Sequence, residues 1–141
     1  MTVAEATQRT RLQRLVAPSA AIGGLSLATV ALHLRDPHAE GSWGFCPSAL
    51  LGFWCPGCGG LRAVHDLTDL RLADAASSNV ALIVAMPVLV LLLAAWWVQR
   101  WRGPGPVLPP RVVTLGLGLA LAALAVFTLL RNLPWFGWLA P

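Results

Sequence analysis

Three charge-free apolar stretches dominate the pattern of the chain: residues 16–34, 80–98 and 112–130, each 19 residues long. About 20 apolar residues in an α-helix cross the hydrocarbon core of a bilayer. The pattern therefore predicts an all-α membrane protein with three transmembrane helices. Polar positions gather in a lead of residues 1–15, a loop of residues 35–79, a short link and a tail that begins RNLP at Arg131. The resulting organisation is a cytoplasmic N-terminal segment, 1–15, and a single membrane domain, 16–141, with the long loop between helices one and two. Pro87 is expected to kink the second helix. Its ring leaves a backbone carbonyl that, in lipid, needs a partner from a neighbouring helix. Gly116 and Gly118 in the third helix suit close helix packing, although their spacing does not make a GxxxG face.

Composition agrees with the pattern. Of 141 residues, 57% are hydrophobic and only 11% charged. Soluble domains usually carry about 25% charged residues. All ten basic residues are arginine, and they stand where the apolar stretches end. That is the distribution of a topology signal, and it excludes a nucleic-acid partner, which would need them on one face. Arg9, Arg11 and Arg14 precede the first stretch, and Arg100, Arg102 and Arg111 flank the second link. The positive-inside rule then predicts a cytoplasmic N-terminus and second link, with the long loop and the tail outside. Trp96, Trp97 and Trp101 would mark the inner interface, and Trp135 and Trp138 the outer one. A basic lead before an apolar run also describes a secretory leader. The length of the run and the lack of an A-x-A-like site favour a retained helix.

Within the loop, residues 36–60 are rich in turn formers and aromatics (Trp43, Phe45, Phe53, Trp54), which suits the headgroup layer. A short interfacial helix is expected from Gly59 or Gly60. It would carry Arg62, Asp66 and Asp69 on a polar face and Leu61, Val64 and Leu72 on another. Further helix from about Asp69 would run through Ala73 and Ala76 into the second span.

All three cysteines lie in this loop, at Cys46, Cys55 and Cys58, among Gly57, Gly59 and two Cys-Pro pairs. Cys55-x2-Cys58 is half of a zinc knuckle. Cys46 would supply a third thiolate, and structural zinc takes four N or S ligands. On a straight helix from Cys58, His65 stands about 10 Å of rise away. His38, on the loop before Cys46, is therefore the fourth candidate, and zinc the candidate cofactor. A disulfide between two of Cys46, Cys55 and Cys58 is the alternative, since paired cysteines in an oxidising compartment usually bridge. A redox-active Cys55–Cys58 pair is a third possibility, with Arg62 one turn on favouring a thiolate. With only Cys46 in reserve, there is no second pair to relay electrons. The plain reading of Arg62 and Asp66 is an exposed i,i+4 ion pair; Arg62 also suits a lipid phosphate. Asn79 is expected to cap the second span. Arg131 and Asn132 serve as an interfacial anchor or, through Asp66 or Asp69, as a tie from tail to knuckle. No Ser-His-Asp order, phosphate loop or HExxH motif occurs.

The chain after residue 35 resembles the small bacterial membrane proteins grouped as domain-of-unknown-function family 2752. The matching residues are Asp36-Pro37, Gly41, Cys46-Pro47, Leu50, Gly52, Cys55-Pro56-Gly57-Cys58-Gly59, Arg62-Ala63, His65, Asn79, Arg131-Asn132-Leu133-Pro134 and Pro141. Leu51 and Leu61 stand where that pattern has threonines, Leu70-Arg71 where it has Gly-Asp, and Val80 where it has Pro. The resemblance implies a bacterial inner-membrane protein and assigns no reaction. The functional expectation is a non-enzymatic accessory, assembly or partner-binding subunit, associated with lipids and with itself or another membrane protein. A thiol-redox or metal-dependent membrane enzyme is the alternative.

Overall fold

The computed structural model describes residues 3–39, 46–103 and 109–140, with side chains from residue 11 onward. Gly41, Trp43, Phe45, Pro141 and the side chains of Glu5 and Arg9 lie outside the described residues. In chain order the elements are α1 (Val3–Leu34), α2 (Pro47–Leu50), α3 (Gly60–Thr68), α4 (Leu72–Arg102), α5 (Pro110–Arg131) and a 3-10 tail (Pro134–Leu139). Among the described residues there is no strand. Three helices are long and apolar enough to cross a membrane, at Arg11–Leu34, Leu72–Arg102 and Pro110–Arg131. The lead expected to be separate from the first span is helical from Val3, continuous with α1.

α1 and α4 pack antiparallel. At one end the Trp97 indole N–H donates to Ser19 Oγ at 3.2 Å, and Arg11 lies 5.3 Å from the ring of Trp101, which stacks on Trp97. At the other end α3 is wedged between the last turn of α1 and the start of α4. α5 stands apart from this pair. Its residues 111–126 are exposed, and a Cβ added at Gly116 or Gly118 would meet nothing within 4 Å. Close packing at those glycines is therefore not used within one copy of the chain. α5 is held at its C-terminal end, through Arg131, Asn132 and the tail.

The second span breaks at Asn79 and not at Pro87. Asn79 adopts extended backbone (φ −163°, ψ 90°), while Pro87 stays within helix. The Asn79 side-chain oxygen accepts the Leu82 N–H at 3.0 Å, the bond an N-cap makes to the first turn of a new helix. This puts Val80 at the first helical position, where proline is readily accommodated. Of the polar face expected on α3 only Asp66 is buried, together with Ala63 and His65; Arg62 is half-buried, and Asp69 and Leu61 are exposed. Where lipid or headgroups surround a helix, apolar side chains can face out, and polar ones need partners from the protein.

Candidate functional site: a three-sulfur knuckle and the groups that clamp it

The knuckle begins with α2, a single turn that opens with Pro47 and directs Cys46 toward the CPGC turn. The Cys58 N–H donates to the Cys55 carbonyl at 3.1 Å, and the Gly60 N–H to the Gly57 carbonyl at 2.9 Å. Gly59 enters α3 with φ +77°, the left-handed region that glycine reaches without steric cost. The turns bring the three sulfurs together, with Cys46–Cys58 at 2.9 Å, Cys55–Cys58 at 3.2 Å and Cys46–Cys55 at 3.8 Å. All three are free cysteines, and Cys58 is the buried one. Ser48 joins them, its Oγ 3.0 Å from Cys46 Sγ and 3.5 Å from Cys58 Sγ.

The surroundings divide the thiols. Bonding with Cys58, Ser48 and the Ala49 N–H lowers the Cys46 thiol from 9.0 to about 6. Burial pushes the Cys58 thiol up, and its bond to Cys46 adds to that. At Cys55 burial also acts upward, but bonds from Cys58, Ser48 and the Gly57 N–H outweigh it and leave the thiol lowered. A cluster that already holds negative charge at one sulfur resists ionising the next without a cation nearby.

Two side chains from distant parts of the chain hold the knuckle by its carbonyls. Asn79 Nδ2 donates to the carbonyls of Pro56 (2.9 Å) and Cys58 (3.0 Å). Arg131 donates to the carbonyl of Cys55 at 2.8 Å and from both terminal nitrogens to that of Cys58 at 3.3 Å. Arg131 is 1% exposed, its guanidinium lies 4.9 Å from the Phe127 ring centroid, and its Nε has no hydrogen-bond partner. Asn132 adds a two-way bond to the Trp54 backbone, accepting its N–H and donating to its carbonyl, both at 2.8 Å. The tail is thus tied to the knuckle through backbone carbonyls, in place of the Asp66 or Asp69 pairing expected from sequence. Arg131 is also no snorkelling anchor, because it is buried.

The other expected site residues fall elsewhere. His38 is grouped with Asp36 and His65, apart from the sulfurs, so the structure does not bring it to the cysteines as a fourth ligand. Asp66 is fully buried and bonds Arg71 at 2.6 Å, so the expected Arg62–Asp66 ion pair gives way to one across the loop. Ser78 Oγ donates to the other oxygen of Asp66 at 3.3 Å. A Cβ added at Gly57 would stand 3.8 Å from the Cys55 sulfur.

The departures from the family pattern also acquire positions. Leu51 and Leu61 are 77% and 47% exposed, so the hydroxyls expected there would face outward. Leu70, at the pattern's glycine position, has φ +60° and is the one non-glycine among the described residues with positive φ.

Residues 46–93 match the family model described as protein of unknown function (DUF2752). The match covers 48 of the 141 residues, and over that stretch the chain is similar to the family. The matched stretch spans α2, α3 and the first two-thirds of α4, and so contains the three sulfurs and Asn79 but not Asp36, His38 or Arg131. No curated protein and no solved structure matched the chain.

Proposed function

We propose that this protein is a non-enzymatic membrane accessory subunit whose outward-facing knuckle is locked by a zinc ion on Cys46, Cys55 and Cys58. The observation that carries this reading is the convergence of three sulfurs from two turns, with separations of 2.9–3.8 Å. Four ligands at a Zn–S distance of about 2.3 Å stand roughly 3.8 Å apart along each tetrahedron edge. Three thiolates around a divalent ion leave one net negative charge. The buried Arg131 on the Cys55 and Cys58 carbonyls is placed to offset it. Ser48 Oγ, beside two of the sulfurs, is the nearest side-chain candidate for the fourth position. A water or a group from a partner would serve the same purpose.

Zinc here would act structurally, holding the loop, α4 and α5 in one arrangement at the membrane face. Association with itself or with another membrane protein is the expected use of such a platform. It is supported by the length of α5, whose residues 111–126 are all exposed. The arginine distribution supports a cytoplasmic N-terminus in a bacterial inner membrane, and hence an outer-face knuckle.

A disulfide-stapled or thiol-redox knuckle is the second reading. It is favoured by the Cys46 thiol near 6 lying 2.9 Å from Cys58 Sγ. Thiol counting with and without reductant, together with metal analysis of detergent-purified protein, decides between the two. One zinc per chain, with three thiols released on chelation, supports the zinc lock. One thiol without reductant, three with it and no metal would sink it in favour of a bridge.

A further inference from the structure

The second cluster on this face does not belong to the knuckle. α1 ends at Leu34, and the turn after it carries Asp36 and His38 back over α3 toward His65. The ligating atoms of Asp36, His38 and His65 lie within 4.8 Å of one another.

His65 is the informative member. Its side chain is 8% exposed, and its Nδ1 lies 2.8 Å from the carbonyl oxygen of Leu32. A carbonyl only accepts, so Nδ1 carries the proton and the neutral ring leaves Nε2 as a lone pair. That lone pair faces Asp36 Oδ1 at 3.6 Å and Asp69 Oδ2 at 3.5 Å. Three acceptors therefore converge; the His38 backbone N–H donates to Asp36 Oδ1 at 2.8 Å and Arg71 Nη2 lies 3.8 Å from Asp69 Oδ2, and a cation between the carboxylates would also take up the Nε2 lone pair. A backbone carbonyl on Nδ1 is also the outer-shell partner that orients metal-bound histidines.

His38 repeats the logic. One ring nitrogen is 2.8 Å from Asp36 Oδ1, and the other is 3.5 Å from Oδ2 of the buried Asp66. Asp66 is bonded to Arg71 and Ser78 and does not swing in as a ligand. Through Oδ2, which also accepts from Ser78, it can hold one His38 nitrogen protonated while the other binds. At N and O bond lengths near 2.0–2.1 Å, the edge of a tetrahedral site is about 3.3 Å. The His65 separations are close to that.

We propose that Asp36, His38 and His65, with Asp69 alongside, form a second metal site, open to solvent and specific for a borderline divalent transition ion of the zinc class. Two imidazoles and carboxylate oxygens favour such an ion over calcium or magnesium, which take oxygen ligands. Asp36 and His38 are half or more than a third exposed, so the ion exchanges with solvent and keeps a water. The site stands whether the cysteines hold a metal or a disulfide.

The test is cobalt(II) titration of the full-length chain in detergent, read by absorption and by metal content. Thiolate-bound cobalt shows sulfur-to-metal charge transfer, and nitrogen- and oxygen-bound cobalt does not. Wild type is expected to bind one cobalt without a sulfur signature, beyond any cobalt carrying one. Asp36→Asn and His38→Ala, both at exposed positions, are expected to lose that ion or weaken it by tenfold or more, with any sulfur signature unchanged. Cys46→Ser should keep it. The proposal is overturned if wild type binds no cobalt outside the sulfurs, or if the sulfur-free cobalt survives both substitutions at equal affinity. It is equally overturned if the His65 ring resonances ignore cobalt.

Discussion

Arg131 lies near the end of the sequence, yet it is among the most buried side chains and touches residues 73 and 76 positions earlier. Charged side chains at membrane depth are costly unless they are partnered, and here backbone carbonyls and the Phe127 ring are the partners. Arg131→Gln is expected to cost about 2–3 kcal/mol, the scale of hydrogen bonds made by a charged donor. Arg131→Lys should restore little, because a lysine cannot fork across two carbonyls. Thermal unfolding in detergent measures both, and a neutral Arg131→Gln would contradict the clamp. The thiols make a second prediction. Since the Cys46 pKa is lowered from 9.0 to about 6, its thiolate forms as pH rises through that value, well below an ordinary cysteine. Alkylation of reduced, metal-free protein should reach half its maximal rate near that pH, with Cys46 modified first and Cys58 last. Mass spectrometry of quenched samples reads the order.

Between elements, the joints decide the shape. Asn79 caps the second part of α4 with its oxygen and holds the knuckle with its nitrogen. Asn79→Asp keeps the cap and loses the donor, so it separates the two tasks. We expect it to destabilise by about 1–3 kcal/mol, the cost of leaving buried acceptors unsatisfied, while far-ultraviolet helicity stays near wild type. A fall in helicity equal to that of Asn79→Ala would show that capping was the main task. Leu70 closes α3 in a left-handed conformation that costs a side chain about 1–2 kcal/mol. Leu70→Gly should therefore raise stability by roughly 0.5–1 kcal/mol, after allowance for the extra freedom glycine brings to the unfolded chain. A lowered melting temperature would refute the strain.

For the whole molecule the open matter is sidedness. Reduced cysteines in intact cells are expected to react with membrane-impermeant maleimide from outside, and the reaction should need no permeabilisation. Labelling only after the membrane is permeabilised would place the knuckle in the cytosol and remove the oxidising compartment on which the bridge reading rests. The arginines argue for the first result, with Arg11 and Arg14 at one end of α1 and the knuckle at the other.

The spans, the short helix at Gly60 and the clustering of the cysteines were all legible in the order of residues. Each rests on local rules: apolar length against bilayer thickness, glycine at a turn, and the reach of a CxxC. Helical rise alone also kept His65 away from the sulfurs. Ser48 was overlooked, although a hydroxyl two residues after Cys46 was a signal. So was Asp36 as a partner of His38, two residues on. The cap at Asn79 was legible, but the burial of Arg131, the exchange of Arg62 for Arg71 on Asp66 and the grip of Asn79 on the knuckle carbonyls lay beyond sequence reasoning. Each depends on which carbonyl or carboxylate arrives opposite the side chain once α1, α3, α4 and α5 have met. A chain's periodicity carries no record of those encounters, because a buried polar group is satisfied by whatever the fold brings within 3 Å of it.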